Sequence, residues 1–135
     1  MSEFIDLSSY DPENIPEGKV HPDGTEVHAR ISRMTKDNDK NGTPYLMPWF
    51  EDSEDPNVED WNDYLPLPIG DDTEKEKGKK LRRLKAFDDA FGLGIFNGSF
   101  NVEDAKGATG WMLVGIGKSQ DGEDNNKVKK YLVQS

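Results

Sequence analysis

Residues 25–50 read TEVHARISRMTKDNDKNGTPYLMPWF, and the fold turns on how this stretch is parsed. From Thr25 to Met34 the side chains alternate, Val27, Ala29 and Ile31 on one side and His28, Arg30 and Ser32 on the other, the period of a half-buried strand. Arg33 shares the parity of Ile31. The segment DNDKNG at 37–42 follows, and its Asn41-Gly42 pair, tolerant of positive φ, marks a tight turn. The returning segment, 44–50, sets Leu46, Pro48 and Phe50 on one face and Tyr45, Met47 and Trp49 on the other. Pro48 has no N–H for a ladder, so this strand carries an edge, an irregularity or an early end there.

Upstream, residues 1–23 mix isolated apolar side chains with three prolines and no sustained period, which predicts an extended N-terminal arm. Phe4, Ile5 and Leu7 are its means of docking on the body, residues 24–135, read as one domain. Downstream, residues 51–63 hold seven acids and no base, a solvated acidic loop leading to a third strand near 61–67 that Pro66 and Pro68 end. A helix follows: Thr73 and Glu76 fit a capping box, Leu81, Leu84, Phe87 and Phe91 form one stripe, and Gly92 supplies the stop. Strands at 111–116 and 127–133, separated by the polar loop SQDGEDNN, close the chain. The order of three strands, one helix and two strands predicts an all-β fold with one helix: a five-stranded OB-fold barrel with the helix between strands 3 and 4.

The 135 residues fit one domain, and an apolar share of 33% implies a small core with long loops. There is no cysteine, hence no disulfide, thiolate metal site or thiol nucleophile. The net charge of −10 is unevenly spread: residues 1–72 carry 18 acids and 5 bases, residues 73–135 carry 9 and 12. Local field rather than total charge therefore decides what binds. No apolar run approaches the roughly 20 residues that span a bilayer, and the first residues lack a signal-peptide pattern. The expectation is a soluble, intracellular protein with no membrane partner.

The segments EVHARI at 26–31, KNGTPYLMPWF at 40–50, RLKAFDDAFGL at 83–93, the glycine-bounded stretch 107–117 and NKVKKYL at 126–132 together resemble a family of short phage-encoded single-stranded DNA-binding proteins of OB-fold type. The acidic insert at 51–63 and the lack of an acidic tail depart from that pattern. The resemblance implies sequence-tolerant coating of single-stranded DNA in phage replication or recombination, in the cytoplasm of the infected host cell. The partners so implied are single-stranded DNA and phage replication or recombination proteins; the acidic and basic halves of the chain, separately, would let copies of it associate head to tail.

Such binding needs a cationic groove for phosphates and exposed rings on which bases stack. On the predicted register Arg30, Lys36, Lys40 and Lys118 supply the charge, and Tyr45, Trp49 and Tyr64 the rings. The same residues admit a plainer role, with aromatics in the core and arginines paired to nearby carboxylates. Seven cations between Lys75 and Lys85 face Glu76 alone, a solvated helix face or a hold on the 51–63 loop. Two rival readings stand beside DNA binding. One is an acidic protein-interaction or DNA-mimic protein that blocks a host nucleic-acid enzyme; the other, a small hydrolase using metal held by the acidic insert. Asp37-x-Asp39-x-Asn41-Gly42 begins like a calcium loop, but Pro48 stands where the bidentate carboxylate belongs, which favours a hairpin turn. No catalytic residue, metal ligand or cofactor is assigned: His21 and His28 lack a partner motif, and no phosphate-cradling loop occurs.

Overall fold

The hairpin forms and runs beyond the alternating segment. Strand β1 (Thr25–Asn38) pairs antiparallel with β2 (Pro44–Asp52). Asp39 Oδ1 accepts from the backbone N–H groups of Asn41 and Thr43, each at 2.9 Å, and Gly42 sits at φ +82°. That turn is a carboxylate-capped hairpin; among the described residues no group of three or more His, Asp or Glu is placed to hold a metal. This computed structural model describes residues 3–133.

Strands β3 (Trp61–Asn62) and β4 (Leu65–Pro66) both pair with β2, β5 (Thr109–Lys118) pairs with β1, and β6 (Asp124–Leu132) pairs with β5. The sheet order is β3-β2-β1-β5-β6, antiparallel throughout, with β4 on β2 beside the main path. Helix α1 (Glu74–Phe91) lies between β4 and β5.

The predicted five-stranded OB-fold barrel is therefore corrected: six strands and one helix form a mixed α/β fold whose sheet does not close into a barrel. The physical reason lies in residues 61–68. The expected third strand splits at Asp63-Tyr64 into two two-residue pieces, and Pro66 and Pro68 cannot donate to a further ladder. At this seam β3 and β6 share no ladder, and side chains meet instead: Tyr131 Oη donates to Asp63 Oδ2 at 2.5 Å, and Arg83 donates to the same oxygen at 2.7 Å. Burial, then the Asp63 charge, pushes the Tyr131 phenol well above its ordinary range.

The core follows the period-2 faces. Val27, Ala29, Ile31, Leu46 and Phe50 are buried, and Leu84, Phe87 and Phe91 of α1 cover them. Phe50 is the hub, its ring centroid 5.5 Å from Phe91, 6.0 Å from Trp61, 6.3 Å from Phe87 and 6.4 Å from Tyr131. The Trp61 indole N–H donates to Met112 sulfur at 3.2 Å. The helix starts on a complete capping box, Thr73 with Glu76, and stops at Gly92, φ +66°. It lies so close to β5 that a Cβ on Gly110 would stand 2.6 Å from the Ala90 carbonyl oxygen.

A bulge breaks the simple alternation of β1. The register slips between Ile31 and Arg33, so Arg33 turns outward and Met34 takes the buried place. The parity that put Arg33 with Ile31 does not survive it.

Candidate functional site

The outer face of β1 and β2 carries most of the residues expected to grip DNA, and their surroundings explain why they do not form a stacking groove. Arg30 donates to Glu51 at 3.3 Å, an ion pair within the face itself. Trp49 is half-buried, with the Arg33 guanidinium 4.8 Å above its ring. Tyr45 and Tyr64 lie against each other, centroids 4.7 Å apart at 42°, and Tyr64 Oη donates to Asp39 at 3.0 Å. Burial, then the bond to Asp39, raises the Tyr64 phenol. Lys36 and Lys40 are exposed at the far end of the hairpin, beside Asp37 and Asp39, and Lys118 is paired with Asp124.

On this face Glu51 answers Arg30 and the Trp49 ring takes Arg33, whereas Lys36 and Lys40 form none of the ion pairs among the described residues. Asp60 adds negative charge nearby: desolvation, then Glu51 and Glu59, raises its carboxyl against the opposing pull of Arg33. The aromatic cluster is in the core, built by Phe50, Trp61, Phe87, Phe91 and Tyr131, rather than on this face. A coat of single-stranded DNA held by stacked bases is therefore not what this face is built for, and the DNA-binding, OB-fold reading is corrected on that ground.

The acidic segment after β2 is ordered, and its carboxylates are used locally. Asp52 accepts from the backbone N–H groups of Glu54 (2.7 Å) and Asp55 (3.0 Å) and lies 2.6 Å from His21 Nε2. Asp55 pairs with Lys19 at 2.5 Å and accepts from Asn57 N–H. The Lys19 bond, then that backbone bond, holds the Asp55 carboxyl below the usual range. Asp52 and Asp55 thus serve as turn caps and pair partners. Of the basic helix run, Arg83 holds Asp63 and Lys80 holds Asp72 at 2.9 Å, whereas Lys75, Lys79 and Arg82 form none of the ion pairs among the described residues.

Two further features stand out, and the first corrects the expectation that Phe4, Ile5 and Leu7 dock on the body, since all three are exposed. The first is the arm. Residues 19–24 are stitched to the body: Lys19 and Val58 form a bridge, Asn126 exchanges hydrogen bonds with the His21 backbone, and Gly24 N–H donates to Val114. Residues 3–18 are exposed throughout, among them Phe4 at 91%, Ile5 at 82%, Leu7 and Tyr10. The arm is shaped by its own acids: Asp6 accepts from Ser8, and Asp11 caps the short 3₁₀ turn Pro12–Asn14.

The second is a groove between β4 and α1. Its floor is apolar, made by Leu65, Pro66 and Leu84, and its rim carries Glu76, Lys79, Lys80 and Arg83. Its volume of about 310 Å³ is at the lower end of the roughly 300–1,000 Å³ found for ligand sites. The helical period could have located its rim, since Glu76, Lys79, Lys80 and Arg83 recur at i, i+3, i+4 and i+7, but nothing in the sequence marks that β4 leaves an opening beside them. No protein-family model matches the chain, and no curated protein is similar to it.

Proposed function

We propose that the protein acts by binding another protein through its N-terminal arm, with no chemistry of its own. One observation carries this reading: among the described residues, five of the eight large apolar side chains left exposed, Phe4, Ile5, Leu7, Tyr10 and Ile15, lie within residues 4–15. Burying a side chain of this size is worth about 1.5–3 kcal/mol, so an arm that leaves five of them in water holds a large unused driving force. Purely solvating tails lack such residues.

The alternation of these apolar residues with Glu3, Asp6, Asp11, Glu13 and Glu17 fits recognition by an apolar surface edged with cations. The turns at Asp6 and Asp11 restrict the arm before it binds, which reduces the ordering entropy lost on docking. The body serves as the mount, gripping the arm's base through Lys19 and His21.

A photo-reactive phenylalanine analogue placed at position 4 of the full chain tests the reading in living cells. Irradiation should yield covalent protein adducts that disappear when Ile5 and Leu7 are changed to Ser in the same chain. Adducts confined to nucleic acid, or no protein adduct at all, would overturn it.

A further inference from the structure

We infer that the arm's receptor is a second copy of this chain, and that residues 3–7 of one copy seat in the β4–α1 groove of the other. This rests on the arm reading above and names its partner. The groove offers an apolar floor, Leu65, Pro66 and Leu84, of a size for a few anchor side chains and too narrow for a globular surface. The arm offers three such anchors in four residues, Phe4, Ile5 and Leu7, all of them exposed.

Charge is complementary. Residues 3–17 contain five acids and no base. At the groove Lys80 and Arg83 are engaged with Asp72 and Asp63, but Lys79 on the rim, and Lys75 and Arg82 on the same helix face, are left for an incoming carboxylate. Glu3 and Asp6, which bracket Phe4 and Ile5, are placed to meet them. Within one copy the arm leaves the body at Lys19, on the Val58 loop, and all of residues 3–18 remain exposed, so the groove is open to the arm of a neighbour.

Sedimentation velocity on the full chain at submicromolar to submillimolar concentration tests this. The wild type should self-associate, more weakly as salt rises, because exposed charges contribute. An arm variant, Ile5→Ser with Leu7→Ser, and a groove variant, Lys79→Glu, should each weaken association by about tenfold or more. All three positions lie on exposed arm or helix surface, and unchanged thermal melting verifies that each variant is folded. Mixing the two variants should restore a dimer, since the groove variant's intact arm can enter the arm variant's intact groove.

A wild type that stays monomeric throughout, an association indifferent to either variant, or a mixture no stronger than its parts would overturn the proposal. A monomeric wild type whose position-4 probe still captures some other protein would overturn the second-copy assignment while leaving the arm reading intact.

Discussion

Residues 3–18 and the Phe50 cluster are built from the same alphabet, aromatic and branched apolar side chains interspersed with acids, yet one is wholly exposed and the other wholly packed. The difference is period and capping. Around Phe50 the apolar residues recur every second position on strands and every third or fourth on α1, so each backbone conformation delivers a continuous face. In the arm the intervals are irregular and prolines interrupt them, so no single backbone conformation turns Phe4, Leu7 and Tyr10 inward together. The acids differ in their partners: in the body several hold cations as well as turns, whereas in the arm Asp6 and Asp11 hold only local turns.

The sharpest way to break this comparison is a matched pair of truncations. Phe87→Ala should destabilise the domain by about 3–5 kcal/mol, because Phe87 is fully buried against Phe50, Phe91 and Tyr131. Phe4→Ala should leave the unfolding free energy of the dilute monomer unchanged, since the ring is 91% exposed. Denaturant unfolding measures both, and a sizeable loss from Phe4→Ala would mean that the arm packs on its own body.

A smaller effect tests how tightly the helix closes the core. Gly110→Ala should cost about 1–3 kcal/mol, because the new methyl would meet the backbone carbonyl of Ala90, which cannot rotate away as a side chain end could. Gly18→Ala is its contrast: there the obstacle is the end of the Glu59 side chain, which can move, so thermal melting should scarcely change.

The smallest effect concerns charge on the outer face. Asp60 is raised by burial and by Glu51 and Glu59, so its ionised form is worse off folded than unfolded. That penalty is present at neutral pH, is relieved as pH falls through the raised folded value, and is gone below the ordinary carboxylate range. Asp60→Asn should therefore be slightly more stable than wild type at pH 7, an effect kept small by solvent screening of this exposed carboxyl, and the gap should close on acidification. The two proteins compared by thermal melting from pH 7 to pH 3 give the sign directly.

Much of the scaffold was legible because it is local. The alternation at 27–31 and 46–50, the Asn41-Gly42 turn and the Thr73–Glu76 box are read within a few residues, and the structure contains each. What was not legible is relational. The bulge at Ser32, which turns Arg33 outward over Trp49, leaves no mark in the alternation. The break at Asp63-Tyr64 interrupts the third strand, and Asp63 there meets Tyr131 and Arg83, partners that lie far along the chain. The site suffered most: Arg30, Tyr45, Trp49, Tyr64 and Lys118 are all where a groove would need them in sequence, but each was already partnered by Glu51, Tyr64, Arg33, Asp39 or Asp124. Sequence supplies residue types; only packing shows which of them are spoken for.

The most direct measurement joins the two regions. In a concentrated sample mixing isotopically distinct copies, intermolecular nuclear Overhauser effects should connect the methyl groups of Ile5 and Leu7 in one copy with those of Leu65 and Leu84 in another. If those arm methyls show contacts only within their own copy, or none at all at concentrations where the chain is fully folded, arm-to-groove docking between copies is contradicted.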